Sequence, residues 1–152
     1  MPDRGTLTML AAHPFLQGMS EAHLQTLAEC ARRVTATAGQ LLGEEKEGAN
    51  AFFLIQSGQV AIEAHTPDRG TVRIQLIGPG DVVGWSWLVP PHRWQFDARV
   101  VEMVQAIALD AASIRTRCEQ DHDLGYQLFK RLVSVISARL AATCRQLLDT
   151  HR

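Results

Sequence analysis

Apolar positions along the chain change their spacing twice, near residue 33 and near residue 110. Over residues 7–31 they recur at helical intervals. His13-Pro14-Phe15-Leu16 closes a short first helix, and Ser20 stands just ahead of the set Leu24, Leu27, Ala28 and Ala31. A serine there satisfies free N–H groups of a first turn, so it predicts the start of a second helix. Over residues 33–109 the period becomes two. Val60 and Ile62 alternate with Ala61 and Glu63, and Val72, Ile74 and Leu76 alternate with Arg73 and Gln75. That is the pattern of half-buried strands. Turn residues punctuate it at Gly39, Gly43, Gly48, Gly58, Pro67-Asp68-Arg69-Gly70 and Gly78-Pro79-Gly80-Asp81. Many short strands in one segment predict a barrel or jelly roll.

Over residues 110–150 the helical period returns. Asp110 caps a short helix through about Glu119, and a long helix follows from Asp121 or Asp123 to Leu148. Two apolar stripes run along it. Phe129, Val133, Ile136, Leu140, Thr143 and Leu147 form a seam of coiled-coil type, and Leu124, Leu128, Leu132 and Val135 form the other. A helix that is apolar on two sides needs two partners. The barrel is one, and the same helix of a second chain is the other, giving a homodimer. The competing reading buries the whole helix within its own domain.

Composition narrows the function classes. The chain has 152 residues, which suits one domain over 1–152, since two cores of half that length would each be undersized. Hydrophobic residues make up 46% and charged residues 20%, so a disordered chain is excluded. A net charge of −1 lacks the basic surplus of a dedicated nucleic-acid binder. No apolar run approaches the ~20 residues of a membrane span, and Met1-Pro2-Asp3-Arg4-Gly5 has no secretory pattern. The three widely spaced cysteines, Cys30, Cys118 and Cys144, fit reduced thiols in the cytoplasm. The histidines are scattered without metal-ligand spacing, and no nucleophile elbow or phosphate loop occurs. The expectation is therefore a protein that is not an enzyme and holds neither metal nor cofactor.

One segment concentrates unusual chemistry. All three tryptophans, Trp85, Trp87 and Trp94, fall within ten residues, with Phe96 close behind. Such an aromatic wall suits a flat or apolar ligand, or a partner surface.

Three stretches in order support a resemblance. They are His13-Pro14-Phe15-Leu16 with Met19-Ser20, then Glu47-Gly48 through Gly58-Gln59-Val60, then Leu76-Ile77-Gly78-Pro79-Gly80-Asp81-Val82-Val83-Gly84. Together they resemble the cyclic-nucleotide-binding domain of the catabolite-activator superfamily, over nearly the whole chain. The resemblance implies a mainly β jelly-roll or double-stranded β-helix barrel, with helices before it and a long dimerisation helix after it. It implies a sensor of a nucleotide-like ligand, a cyclic nucleotide such as cAMP or cGMP, that signals through the long helix to a separate effector protein. The family's regulators carry a DNA-reading winged helix beyond that helix. Because this chain stops there, no DNA binding by itself is expected.

In the resembled family a helix start after Gly84 offers N–H groups to the cyclic phosphate, a Glu takes the ribose and an Arg pairs with the phosphate. Here Trp85 stands at the Glu position and Trp94 at the Arg position, with Arg93 one residue early. The candidate ligand residues are Gly84, Trp85, Ser86, Trp87, Arg93, Trp94, Asp97, Arg99 and Arg139. All but Gly84 have a second reading. The three tryptophans line a ligand site, or simply fill the barrel mouth and leave an empty pocket that binds nothing. Ser86 offers a hydroxyl or backbone N–H to an anion, or caps a helix. Arg93 reaches a phosphate or lies on the surface. Asp97 accepts from Arg93 or a ribose, or only starts a strand. Arg99 points into the pocket or into water. Arg139 stacks on a base, reaches across the dimer or lies exposed. The rival function is a ligand-free interaction module that docks another protein through its tryptophan-rich mouth or its helix seam.

Overall fold

The computed structural model describes residues 4–150. Met1–Asp3 of the leading segment, and residues 151–152, lie outside them. Two helices, α1 (Arg4–Ala12) and α2 (Glu21–Glu29), flank a short 3-10 turn at Pro14–Leu16. Ser20 accepts a hydrogen bond from the His23 N–H at 3.2 Å, so α2 starts at the predicted cap. His13 fixes the turn to the barrel. Its Nδ1 accepts from the Phe15 N–H at 3.2 Å, and its Nε2 meets the Ile55 carbonyl at 3.0 Å.

Six strands follow: β1 (Ala31–Ala36), β2 (Leu41–Gly43), β3 (Ala51–Thr66), β4 (Gly70–Ile77), β5 (Val82–Val83) and β6 (Asp97–Asp110). They form one antiparallel sheet in the order β1-β6-β3-β4, with β2 on β6 and β5 on β3. The jelly-roll-like architecture thus rests on two long strands that pair along nearly their whole lengths. β3 bends between its halves at Gly58, where the ladder to β6 shifts register. Gly58 has φ +91°, and a Cβ there would lie 2.1 Å from the Met103 carbonyl oxygen, so only glycine fits the close approach. Phe52, Leu54, Ile55 and Val60 of β3, with Val100, Val104, Ile107 and Leu109 of β6, are fully buried and form the centre of the core.

Asp110 accepts from the Ser113 N–H at 2.9 Å and caps α3 (Ala111–Gln120). The long helix α4 (His122–Thr150) begins two residues later, where Asp121 accepts from the Leu124 N–H at 3.2 Å. Its stripe Leu124, Leu128 and Leu132 is buried, whereas Phe129, Val133 and Leu147 face outward. No helix among the described residues is long and apolar enough to cross a membrane.

Candidate functional site

Between β5 and β6 the chain builds one wall of a pocket. Gly84 turns it with φ +95°, Trp85 follows, and Ser86–Leu88 form a 3-10 turn. Trp94 is fixed by backbone pairing with a remote loop: its N–H donates to the Glu47 carbonyl, and its own carbonyl accepts from the Lys46 N–H, both at 2.9 Å. The indole then lies on two glycines. A Cβ at Gly43 would come within 2.1 Å of the ring, and one at Gly84 within 2.9 Å. Neither glycine is there for its own flexibility alone; together they leave room for Trp94.

The remaining walls come from the sheet and from α4. A pocket of about 290 Å³ is enclosed by Ile62 of β3, Ile74 and Gln75 of β4, the cassette from Gly84 to Ser86, Trp94 to Phe96, and Ile136, Arg139, Leu140 and Thr143 of α4. Most of that surface is aliphatic or aromatic, the usual make-up of small-molecule sites. A larger but more open cleft of about 450 Å³ lies between the Pro14 turn and α4, and it contains none of the predicted ligand residues.

Two side chains clasp α4 over the pocket. Gln75 Nε2 donates to the Arg139 carbonyl at 3.1 Å and to Thr143 Oγ1 at 3.3 Å. Arg139 donates from one terminal nitrogen to Asp81 Oδ1 at 3.0 Å and to the Val82 carbonyl. Its side chain is only 16% exposed, and burial pulls its pKa down against the opposing charge of Asp81. The Arg139 Nε–H is buried and has no acceptor among the described residues.

Gly84, Trp85, Ser86, Trp94 and Arg139 therefore come together at the pocket, while four other candidates go elsewhere. Trp87 is in the core, 1% exposed and stacked on Phe52 with ring centroids 4.7 Å apart. Its carbonyl accepts from Arg115 Nη1 at 2.7 Å, which ties the cassette to α3. Arg93 faces solvent and donates to the Lys46 carbonyl at 2.9 Å. Successive residues of an extended segment point to opposite sides, so once Trp94 faces inward Arg93 faces out. Asp97 and Arg99 fail for the same geometric reason. Ile62 pairs with Ala98 and lines the pocket, which puts Glu63, Asp97 and Arg99 on the other face.

On that face the charges neutralise each other. Arg99 grips Glu63 through two parallel hydrogen bonds of 2.9 and 2.7 Å, and this contact holds the Glu63 carboxyl below the usual range. Asp97 accepts from the Glu45 N–H at 2.8 Å and bonds His65 Nε2, whose other ring nitrogen meets Thr71 Oγ1 at 3.1 Å. The bond to Asp97 pushes the His65 imidazole above its ordinary value.

The seam predicted for a second chain is also divided. Ile136, Leu140 and Thr143 face the pocket at least in part, and Phe129, Val133 and Leu147 do not. Sequence reasoning did not assign Gln75, Ile62, Ile74 or Gln95 to the site. Strand alternation was the available signal for Ile62 and Ile74, since it placed them on the inner face.

Comparison with known proteins gives a consistent picture. Residues 33–121 match the family described as the cyclic nucleotide-binding domain. A CRP-like cAMP-activated global transcriptional regulator of Mycobacterium tuberculosis is 24% identical over 141 residues, which cover 93% of this chain and 61% of that protein. The chain thus spans about three-fifths of the length of the curated relatives it matches. A cyclic nucleotide-binding domain from Methylobacillus flagellatus superposes with a TM-score of 0.80 at 16% identity, covering 95% of this chain and 82% of the other. A cAMP-binding acyltransferase from Mycobacterium smegmatis superposes with a TM-score of 0.72 at 28% identity, covering 91% of this chain and 41% of the other.

Proposed function

The chain belongs to the cyclic nucleotide-binding domain family, and from this we propose that it is a regulatory sensor that is not itself an enzyme. A flat small ligand, of which a nucleotide base is one kind, enters the pocket beneath α4, and the helix reports its presence to an effector protein in the cytoplasm. One observation supports this above all others. The residues of α4 that line the pocket belong to the same stretch that clasps the helix to the barrel, through Arg139 on Asp81 and Gln75 on Thr143. A molecule in the pocket therefore presses directly on the clasp, and only a differential contact of that kind shifts a two-state equilibrium.

The test pairs two readouts on the full chain, titrated with cyclic AMP, cyclic GMP and planar aromatic compounds. Trp85 and Trp94 line the pocket, so a binder changes tryptophan emission. Hydrogen exchange should change together with it over residues 134–143 of α4. A compound that alters emission and melting temperature while leaving exchange in α4 untouched overturns signalling through the helix. If no compound binds, the interaction module takes its place.

On the same reading the outer face of α4 meets a second copy of the chain. Phe129, Val133 and Leu147 are each more than half exposed. Burying such side chains contributes about 1.5–3 kcal/mol each. Val133→Asp, which does not touch the pocket, should convert dimers into monomers by light scattering. A monomeric unmutated protein at micromolar concentration would refute the dimer.

A further inference from the structure

Beside the core stripe, the pocket wall and the outer seam, α4 carries a fourth strip. Ser134, Ala138, Ala142 and Gln146 are spaced four apart and so stand in one row along the helix. Leu76 and Ile77 of β4 and Asp81 face that row across an open cleft of about 470 Å³. The cleft of about 450 Å³ beside the Pro14 turn shares Asp81, Ser134 and Val135 with it, so the two form one groove that follows α4 from Lys130 to Gln146. Accepting the sensor reading above, we propose that this groove is where the effector protein docks, and that it receives an acidic amphipathic helix.

Shape favours a helix. The run from Lys130 to Gln146 spans about 24 Å at 1.5 Å per residue. The small side chains of Ser134, Ala138 and Ala142 leave a trough that admits the apolar ridge of a second helix. Leu76, 45% exposed, and half-buried Val135 give it an apolar lining. Phe129, Val133 and Leu147 lie about half a turn of α4 away, so a second copy on the outer seam leaves the groove open. Asp81 stands midway along it, and through Arg139 that residue belongs to the clasp over the pocket. A helix seated there therefore lies against the element that the ligand moves.

Charge says which helix. Between Asp123 and Asp149 the chain carries Lys130, Arg131, Arg139 and Arg145 and no carboxylate. Asp81, the one carboxylate lining the groove, already answers Arg139. Lys130, Arg131 and Arg145 make no ion pair among the described residues. Lys130 lies over the Tyr126 ring at 5.1 Å, and Arg131 donates only to neutral oxygens of Gln17 and Gln127. Compensation of the helix dipole does not account for these cations, because it acts over the last turn and the last turn of α4 holds no basic residue. Glutamates or aspartates flanking an apolar ridge would supply the missing partners. Nucleic acid would meet the cations but gain nothing from a trough of alanine, leucine and valine, so an acidic peptide fits better.

Fluorescence anisotropy on the full chain tests this with three labelled probes. One is a helix-forming peptide of about 16 residues, with leucines on one face and glutamates on its flanks. The second has glutamine for each glutamate, and the third is a short DNA duplex. The glutamate peptide should bind most tightly, and its affinity should fall as salt is raised. Lys130→Glu combined with Arg145→Glu should weaken it by roughly tenfold, as the loss of two exposed charge pairs allows. Ala142→Arg separates fit from charge. It adds a cation but fills the trough, so a site built on charge alone would bind the peptide more tightly, whereas the groove should bind it less. None of these three residues lines the pocket or joins the clasp. Melting temperature and the tryptophan response to pocket ligands should therefore match those of the unmutated protein.

Equal affinity for the glutamate and glutamine peptides overturns the acidic partner, and tighter peptide binding by Ala142→Arg overturns the groove. A duplex bound more tightly than the glutamate peptide overturns the choice of a protein helix. If neither peptide binds at millimolar concentration, docking at this groove is overturned, while the sensor reading stands or falls on the pocket titration alone.

Discussion

The two faces of the β3–β6 pair solve opposite problems with neighbouring residues. On one face Ile62 and the cassette aromatics surround a pocket whose single cation is already neutralised. One residue along the chain, on the other face, Glu63, Asp97, Arg99 and His65 satisfy one another in two contacts. The difference teaches that charge near a candidate pocket does not identify charge that lines it. Asp97 and Arg99 sit where an anion or ribose contact was expected, yet their partners are Glu45, His65 and Glu63.

The contrast can be broken most severely from the aromatic side. Trp94 is 8% exposed and packs against two glycines, so Trp94→Ala should cost about 3–5 kcal/mol, the usual range for emptying a large aromatic site. Urea denaturation should show the loss, together with abolished binding of aromatic probes. Gly43→Ala attacks the same contact from below. Its new Cβ would meet the indole at 2.1 Å, so the ring must move and probe affinity should fall even though the tryptophan is retained.

A smaller effect is expected from the polar face. Arg99→Met leaves the Glu63 carboxylate without its two hydrogen bonds and should lower the melting temperature. Affinity for aromatic probes should be unchanged, because neither residue lines the pocket. A change in affinity without a change in melting temperature would reverse the assignment of the two faces.

The smallest effect is in the response to pH, and it separates the faces cleanly. Asp97 holds the pKa of folded His65 above its ordinary value. The stabilisation from this contact is fully present below about pH 6.5 and is lost as pH rises through the raised value. Glu63 works in the other direction. Its carboxyl is held low by Arg99, so its contribution is present above the ordinary glutamate range and disappears as pH falls through the depressed value. His65→Asn should therefore flatten the neutral-to-alkaline part of the stability profile and leave the acidic part alone. Probe affinity should be level from pH 6 to 9, since no lining residue titrates there.

How much of this was legible in the sequence depended on the range of the interaction involved. Ser20 and Asp110 announced their helices because a cap bonds residues three positions away. Alternation announced β3 and β4 as strands, but not the face of every residue: a register shift beside Ile62 sets Gln75 opposite it and leaves Val72 and Leu76 exposed. The direction of Arg93 was illegible, since it follows from Trp94 pairing with residues 46 and 47, far back in the chain. The role of Gly43 was illegible for the same reason, and so was the bidentate partner of Arg99 on another strand. Trp87 misled because stacking on Phe52 and lining a pocket demand the same residue type. Within the seam on α4, helical spacing identified apolar positions, but could not distinguish Ile136 at the pocket from Val133 in solvent.

The long ladder between β3 and β6 has a consequence for how the chain is made. Residues 51–63 find their partners at 97–110, so the central strand leaves the ribosome well before the strand that covers it. Until then Phe52, Phe53, Leu54 and Ile55, all buried in the finished molecule, form an uncovered apolar run of the kind that associates with other chains during synthesis. Pairing over such a separation also makes folding slow for a chain of this size, because loop closure must come before its contacts can form. The nascent protein is therefore most vulnerable between the emergence of residue 51 and that of residue 110, and a chaperone that shields a short β-forming segment for that interval would raise its yield.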